Sequence, residues 1–485
     1  MINYINRVKN IFIFFLAFTL LQGCENAEYV THSYIGGEII NPKDTKLTIF
    51  KSNSIIDTAR LDSKNRFLTK IQFTKPGFYG FSHGKEYQLI LLEPKDSITI
   101  RVNTLDFDES LSFSGIGSKK NNYLISLFTK YENSKRNSSD LYKLNPEKFK
   151  NTIDSLKRDE INLLDKFISS ANLSSRLFED IAINTINHIF NSKIEAYPFI
   201  EYNNSEKKYP NNFYDFRKNI NYNNSLFEEF YHYYNFLFPH FNNLAYDNFI
   251  KSHSKISFSD ENVDYNLIKL SLIDSLVQNR EIKSRLTSFI TRKFLSFCKK
   301  QEEANIIYNY YLEINKTDDE NSKNFQQKRV INLYNNLRNL KKGNRLPIIE
   351  LININKKSIN INNIIKNKTI IYFWSKNSKN SYKYSHKKAK DLKKKYPGID
   401  FISVNIDKIS NDNWLEKLKI NTISDSCDGC EINIGSNEFK FRNVEIARKL
   451  LGIQYIRKTI IVDSKMNIIE SNANLFSDNL EKIIN

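Results

Sequence analysis

The amino-acid sequence predicts a multidomain protein with an N-terminal antiparallel β-sandwich, a helical middle domain and a C-terminal α/β domain. Three observations predict this class. The chain has 485 residues, more than a single hydrophobic core usually serves. Strand-like runs before residue 117 give way to the three- and four-residue spacing of helices, and from residue 341 strand and helix patterns alternate.

The first 23 residues have the pattern of an export signal. Arg7 and Lys9 form a basic start, and the apolar run 11–21 is about half the roughly 20 residues of a membrane-spanning helix. Gly23 then precedes Cys24, with an apolar residue three positions before the cysteine. This arrangement resembles the lipobox of bacterial lipoproteins, which implies cleavage before Cys24 and a lipid on its thiol. The alternative is a buried core helix with a chance cysteine.

A lipid on Cys24 would tether the protein to a membrane of the cell envelope, through a short segment at residues 24–34. No other run of the sequence is long and apolar enough to span a bilayer, so we expect a soluble, tethered body. Glu25 is not the aspartate that retains lipoproteins at the inner membrane of enterobacteria. By analogy this favours the outer membrane, on its periplasmic or surface face.

The chain is strongly basic, with a formal net charge of +18. Such a charge can favour nucleic acids or anionic surfaces. Export argues against a nucleic-acid partner, and most lysines are scattered along the sequence. The clusters 387–388 and 393–395 are typical of the solvated face of one helix, so we expect no nucleic acid to bind.

Residues 35–117 have the pattern of a β domain. Short apolar runs are separated by turn signals such as Asn41-Pro42 and Glu93-Pro94-Lys95-Asp96. Strands of this length and spacing favour an antiparallel sandwich. The predicted strands are 46–51, 54–61, 67–73, 77–83, 87–92 and 97–102.

Residues 118–340 have the pattern of a helical domain. Apolar residues recur at helical spacing, as in Tyr123, Leu124, Leu127 and Phe128. The Asn- and Tyr-rich stretch 201–224 interrupts this spacing and is expected to form loops. No repeat of fixed period occurs, so we predict a helix-rich domain rather than a repeat array.

The stretch 341–347 is the clearest linker, and it opens an α/β domain at residues 341–485. The apolar run 369–374 predicts a buried strand, and the amphipathic basic stretch 381–396 predicts a helix. The order of strands, helices and a late hairpin is typical of a layered α/β fold. The other predicted elements are strand 399–406, helices 413–418 and 444–451, the hairpin 459–463 with 466–470, and helix 477–484.

Motifs along the chain resemble those of the TlpA-like thioredoxin-fold lipoproteins of Bacteroidota. The β domain contains Pro76-Gly77-x-Tyr79 and Glu93-Pro94-x-Asp96-Ser97, and the C-terminal domain contains Leu346-Pro347 and Phe373-Trp374-Ser375. Each motif alone is weak, and their order is specific. The resemblance implies that the C-terminal α/β domain has a thioredoxin-like fold.

The resemblance also implies a Cys-x-x-Cys at the start of the helix after strand 369–374. There a helix N-terminus lowers the pKa of the first thiol, and its thiolate attacks a disulfide. In this sequence Ser378 and Ser381 replace the two cysteines, and Arg457 replaces the cis-proline of the family. A serine hydroxyl is too weakly acidic to replace a thiolate and cannot form a disulfide. We therefore expect no catalytic residue at the usual position.

Cys427 and Cys430 form a second Cys-x-x-Cys, in a polar loop. Their spacing fits a loop disulfide, a redox-active pair, half of a metal site or two free thiols. A zinc site would need two more ligands, and His386 is the only histidine after residue 341. No metal and no cofactor are therefore expected. Cys298 lies in a helical pattern and is expected to be buried and free.

Two functional hypotheses follow from these patterns. We favour a non-enzymatic envelope lipoprotein whose thioredoxin-like domain is a binding or scaffolding module for another envelope protein. The residues expected to form its groove are Trp374, Ser378, Ser381 and Arg457. The alternative is a thiol-disulfide oxidoreductase, acting as a disulfide reductase through Cys427 and Cys430.

Overall fold

The computed structural model gives two compact units, one ending at His240 and the other beginning at Phe241. Cys24, Cys427 and Cys430 lie outside the residues that the structure describes. The predicted domain boundaries at residues 117 and 340 stay predictions. The described residues are 32–51, 54–72, 75–134, 140–200, 208–252, 259–298, 300–316, 324–376, 378, 381–423, 437–453, 456–477 and 479–484.

The first unit opens with eight strands in two four-stranded sheets. The strands are β1 (His32–Ile40), β2 (Lys46–Lys51), β3 (Ser54–Arg60), β4 (Arg66–Gln72), β5 (Gly77–His83), β6 (Glu86–Leu92), β7 (Ser97–Asn103) and β8 (Ser112–Ile116). One sheet has the order β4-β1-β7-β8 and the other β3-β2-β5-β6. Apolar side chains from both sheets share one buried core, so the sheets pack face to face as a sandwich.

One strand pair in this sandwich is parallel, which corrects the prediction of a purely antiparallel fold. β1 pairs with β4 in the antiparallel direction but runs parallel to β7, from Tyr34 opposite Ser97 to Ile40 opposite Asn103. Alternating apolar residues show which face of a strand is buried. They do not show the direction of its neighbours, because both directions use the same two-residue period.

Gly37 lies at the centre of this parallel pairing, opposite Ile100. Its φ is 154°, and a Cβ there would come within 2.0 Å of the Ile100 carbonyl oxygen. We expect Gly37→Ala to lower the free energy of unfolding by more than about 2 kcal/mol, measured by urea denaturation. Gly343→Ala is the control, since Gly343 also has a positive φ, 86°, but no atom within 4 Å of its Cβ position. Equal losses in the two variants would contradict the steric argument.

One short helix of the first unit lies between β7 and β8, and the longer helices follow the sandwich. In chain order the helices are α1 (Phe107–Ser110), α2 (Ser118–Ser134), α3 (Pro146–Ala171), α4 (Arg176–Ile200) and α5 (Tyr231–Ser252), which continues into the second unit. α3 shows how the sequence sets its ends. At the start of the helix, the Asn145 side chain accepts a hydrogen bond from the Lys148 amide, and Pro146 is the first helical residue. At the other end, Asn172 ends the helix with a φ of 50°.

A buried charged cluster links α4 to α5 inside the first unit. Glu195 is fully buried and accepts two hydrogen bonds from Arg217, at 2.9 and 2.6 Å. The Nδ1 atom of His240 lies 2.6 Å from the same carboxylate, and the Tyr222 hydroxyl lies 2.7 Å from Nε2 of His240. The buried carboxylate therefore has hydrogen-bond partners on both of its oxygens, which offsets the cost of burying its charge.

After the end of α5, the second unit contains the helices α6 (Val263–Leu276), α7 (Arg280–Phe297), α8 (Gln301–Ile314) and α9 (Phe325–Asn339). Three of these helices have an asparagine N-cap: Asn262 for α6, Asn279 for α7 and Asn324 for α9. In each cap the asparagine side chain accepts a hydrogen bond from the backbone amide three residues later. Asparagine is among the best N-cap residues, so the many asparagines of this sequence help to place its helices. No helix in the described residues has the length and apolar character needed to cross a membrane.

A seven-stranded sheet follows, in the order β10-β9-β13-β12-β11-β14-β15. Its strands are β9 (Glu350–Asn353), β10 (Ser358–Asn360), β11 (Thr369–Trp374), β12 (Asp400–Asn405), β13 (Glu438–Phe441), β14 (Lys458–Val462) and β15 (Ile468–Asn474). Its helices are α10 (Ser381–Lys395), α11 (Asn411–Ile423), α12 (Val444–Leu450) and α13 (Leu480–Ile484). Alternate residues of β11 enter separate cores on the two faces of the sheet.

The strand directions identify the fold of this sheet. β11 is parallel to β12 and antiparallel to β14, and β15 is antiparallel to β14. α10 joins the two parallel strands, and α13 follows the β14–β15 hairpin. A parallel β-α-β unit extended by an antiparallel hairpin and a final helix is the thioredoxin-like arrangement. The thioredoxin-like fold predicted for the C-terminal part of the chain is confirmed.

Candidate functional site

The candidate site lies where β11 ends and α10 begins. The Ser378 amide donates to the Ser375 carbonyl at 3.4 Å, and the Ser381 amide donates to the Ser378 carbonyl at 3.1 Å. Ser381 is the first residue of α10, and both Ser378 and Ser381 are half-buried. The two serines are therefore at the helix start, where the resemblance implies two thiols.

Asp407 fixes the backbone that leads into this turn. Its carboxylate accepts hydrogen bonds from the Ser375 hydroxyl at 2.5 Å and the Lys376 amide at 2.6 Å. The Asn405 side-chain amide donates to the same carboxylate at 3.0 Å. Sequence reasoning missed Asp407. Its signal was a polar residue just after β12, since parallel neighbours such as β11 and β12 end at the same edge of a sheet.

Trp374 lies beneath the turn rather than in a surface groove. We expected it to line the groove, but its side chain is 0% exposed. Its ring meets the Tyr382 ring edge-to-face at 4.6 Å, and Trp414 and Leu418 of α11 belong to the same cluster. Because α10 and α11 both cover it, Trp374 supports the site from below and cannot contact a partner at the surface.

A second polar group missed from the sequence lies in the same interior. His386 of α10 has Nδ1 2.8 Å from the Tyr382 carbonyl and Nε2 2.7 Å from a carboxylate oxygen of Glu438. The Ser403 hydroxyl is 3.1 Å from the same Nε2. Because Nδ1 faces a carbonyl, it must donate its proton there. Both side chains are buried, so they stabilise the interior and are closed to a large substrate.

Arg457 is the exposed member of the predicted groove. β14 pairs with β11 so that Thr459 is opposite Tyr372, where the registered pairing ends, and Arg457 is the residue just before β14. This is the end of β11 from which the chain turns towards Ser378. No peptide bond among the described residues is cis, and this includes the bond before Arg457.

Cys298 is the one cysteine in the described part of the chain, and it is free and half-buried. Its thiol donates a hydrogen bond to the Lys300 carbonyl at 3.1 Å. Burial raises the pKa of this thiol to about 11, so it remains protonated and unreactive at neutral pH. Among the residues with described positions, no three His, Cys, Asp or Glu side chains gather as metal ligands.

Part of this chain is similar to several thioredoxin-like proteins of known structure. No family model matches the chain, and no curated protein matches it. The thioredoxin domain of a thiol-disulfide oxidoreductase from Bacteroides vulgatus is 18% identical and covers 30% of this chain and 99% of its own, with a TM-score of 0.24. The C-terminal domain of a proposed thiol-disulfide oxidoreductase from Bacteroides thetaiotaomicron is 21% identical, with coverages of 30% and 94% and a TM-score of 0.24.

A longer match is a thioredoxin-like protein from Bacteroides caccae, 10% identical, which covers 46% of this chain and 77% of its own, with a TM-score of 0.33. Because these TM-scores are all below 0.5, we transfer no activity from these proteins. The strand order and the placement of α10 and α13 identify the C-terminal part of the chain as thioredoxin-like.

Proposed function

We propose that this protein is a cell-envelope lipoprotein whose thioredoxin-like domain binds a partner protein and does not exchange disulfides. The observation that supports this most directly is the pair Ser378 and Ser381 at the start of α10. Disulfide exchange requires a thiolate to attack and a second thiol to resolve the mixed disulfide. A hydroxyl can do neither, but it can donate and accept hydrogen bonds to a bound chain.

The surface around the two serines suits a binding role. Asp407 accepts hydrogen bonds from Ser375 and Lys376, so the backbone at the end of β11, which leads to Ser378, is anchored before a partner arrives. Arg457 is exposed, and it makes no ion pair with an Asp or Glu of the described residues. We propose that the partner presents an extended segment with an acidic residue, which Arg457 would pair with and the serines would hydrogen-bond.

The activity test compares the full chain with Cys427→Ser/Cys430→Ser in an insulin-reduction assay with dithiothreitol. We expect both proteins to match the uncatalysed rate, because no thiol is placed at the start of α10. Ser378→Cys/Ser381→Cys is the matched gain-of-thiol variant, and alkylation with mass analysis shows whether its pair oxidises. Reduction by the native chain that disappears in Cys427→Ser/Cys430→Ser would contradict the proposal and favour the oxidoreductase alternative.

The binding test uses a photo-crosslinking amino acid next to Ser378 in cells. We expect Arg457→Glu to reduce the yield of the crosslinked envelope partner by about tenfold, since reversing one charge in a polar contact costs on the order of 1.4 kcal/mol. Lys394→Glu, an exposed charge at the far end of α10, is the control and should leave the yield unchanged. Equal losses in both variants would point to net charge rather than to this site.

The lipid anchor is tested separately, because it depends only on Cys24. A clickable fatty acid supplied to cells should label the wild-type chain and leave Cys24→Ser unlabelled. The labelled chain should sediment with outer membranes, and the Cys24→Ser chain should not. Equal labelling of the two chains would remove the lipoprotein part of the proposal without affecting the binding site.

A further inference from the structure

A cavity of about 350 Å³ lies within the second unit, between α7, α9 and the end of α12. Its lining is unusually cationic, with Arg292 on α7, Arg329 on α9, and Arg448 and Lys449 on α12. At about 30 Å³ per water molecule, the cavity has room for a small organic molecule. None of the described residues that line it is Asp or Glu.

These cations have no counter-ion among the described residues. None of the four forms an ion pair with a carboxylate there. The local sequence explains this, because the segments 282–301, 321–349 and 446–462 contain no Asp and no Glu. Positive charge is thus concentrated at one concave place, in a chain where other lysines and arginines pair with neighbouring acids, as Lys395 does with Glu481.

Most hydrogen-bond donors of the three arginines also have no partner in the part of the chain that the structure describes. Arg292 donates through Nε to the Ser288 carbonyl at 3.3 Å, and Arg448 donates through Nε to the Ile453 carbonyl at 3.4 Å. The Arg329 guanidinium lies 5.5 Å from the Phe325 ring centre. A guanidinium has five N–H donors in a planar fork, so its terminal nitrogens remain available to an anion.

The arrangement is electrostatically costly without a ligand. Burial and the nearby Arg329 lower the pKa of Arg292 to about 10. Like charges held together in a partly desolvated cavity repel each other, and each charge also loses part of its hydration. An anion placed among them would offset both the repulsion and the lost hydration. The cavity therefore resembles a site prepared for a ligand of more than one negative charge.

We propose that this cavity binds a phosphate ester. The arginine forks match phosphate oxygens in two-point contacts, and a phosphate monoester supplies close to two negative charges at neutral pH. A carboxylate would supply only one. Asn332 and Asn336 line the same cavity, and their amides can both donate to and accept from hydroxyl groups on the organic part. The phosphate can belong to a soluble ester or to a lipid headgroup.

The test measures binding by the full chain at constant ionic strength, with Arg329→Gln as the main variant. Arg329 is exposed, so its replacement should leave the fold intact. We expect glycerol 3-phosphate to bind by calorimetry and glycerol not to bind. Arg329→Gln should weaken glycerol 3-phosphate binding at least tenfold, and Arg448→Gln should have a similar effect. Arg338→Gln, an exposed arginine on the same helix outside the cavity, should change it less than twofold.

A second arm uses vesicles of phosphatidic acid, whose phosphate is a monoester, in phosphatidylcholine, with the Cys24→Ser chain so that a lipid anchor plays no part. Binding of glycerol 3-phosphate supports a soluble ester as the ligand. Co-sedimentation with vesicles alone, reduced by Arg329→Gln and not by Arg338→Gln, supports a lipid headgroup. Failure of both probes to bind would overturn the proposal, and so would equal losses in Arg329→Gln and Arg338→Gln, because binding would then follow net charge.

Discussion

Glu195→Ala should lower the free energy of unfolding by about 3–5 kcal/mol, the usual cost of breaking a buried ion pair on one side. The variant would leave the Arg217 guanidinium and the His240 ring facing a space from which their carboxylate has gone. Glu195 is fully buried, so water cannot replace it without opening the helices around it. Glu195→Gln keeps one acceptor oxygen and should lose less.

The measurement is urea denaturation followed by far-ultraviolet circular dichroism, with Glu179→Ala as the control. Glu179 is an exposed glutamate in the first turn of the same helix, α4, so its loss should cost less than about 1 kcal/mol. The only two tryptophans, Trp374 and Trp414, both lie in the second unit, and their fluorescence transition should move less than the dichroism transition. Equal costs for Glu195→Ala and Glu179→Ala would refute a stabilising role for the cluster.

The same cluster predicts a loss of stability in acid. Burial alone would raise the pKa of Glu195, but hydrogen bonds from His240 and Arg217 outweigh it and hold the pKa below the usual 4.5. A carboxyl group with a lowered folded-state pKa stabilises the protein above its unfolded pKa. That contribution is lost as the pH falls through the folded value, so it is complete at pH 7.

His188 should make the protein sensitive to mild acid at a higher pH than Glu195 does. Its ring is buried against Phe227, Tyr233 and Phe236, and none of the residues that the structure describes forms a hydrogen bond with its Nδ1. Burial, with smaller contributions from His232 and Lys157, lowers the pKa of His188 from 6.5 to about 3. The folded protein therefore keeps this ring neutral while the unfolded chain takes up a proton below pH 6.5.

The sign of the effect follows from proton uptake by the unfolded chain. Stability should fall by up to about 1.4 kcal/mol for each pH unit below 6.5, until the folded-state pKa is reached. His188→Phe fills the same aromatic site without a titratable group and should flatten the curve between pH 6.5 and 5, where Glu195 is still ionised. The urea concentrations at the midpoint of unfolding, compared between the wild type and His188→Phe at pH 7, 6 and 5, measure this difference in pH dependence.

His32→Phe is the control for the His188 experiment, because His32 is only half-buried at the start of β1. It should keep the acid sensitivity of the wild-type protein. A His188→Phe curve as steep as that of the wild type would show that the sensitivity comes from other groups.

The elements predicted most accurately from the sequence are those whose limits depend only on their own residues. β2, β5 and β11 begin and end where we predicted, at 46–51, 77–83 and 369–374. Turn residues, or the two ends of a continuous apolar run, mark the limits of each of these strands. β13 was missed. Its four residues, Glu438–Phe441, alternate charged and aromatic side chains, yet all four are buried. Nothing in a Glu-Phe-Lys-Phe sequence indicates burial on both faces of a sheet.

The candidate site shows the same division. Ser378 and Ser381 could be located from their place after β11, because a motif position depends on neighbours in the chain. The contacts of Asp407 with Ser375 and of Glu438 with His386 could not be located, since they join residues 32 and 52 positions apart. Such contacts exist only once the strands are ordered in the sheet. Trp374 was correctly predicted to lie at the end of β11, but its burial was not predicted, because that burial depends on α10 and α11.

The parallel pairing of β1 with β7 also determines when the sandwich can form. Tyr34 and its partner Ser97 are 63 positions apart, whereas Glu38 and its partner Arg66 are 28 apart. At 5–20 residues per second, a ribosome needs about 3 to 13 s to make the intervening chain. β1 therefore waits with one edge unpaired while β2 to β6 emerge, and the central strand contact of its sheet forms late. Slow, non-local closure of this kind exposes the β1 edge to other chains during synthesis.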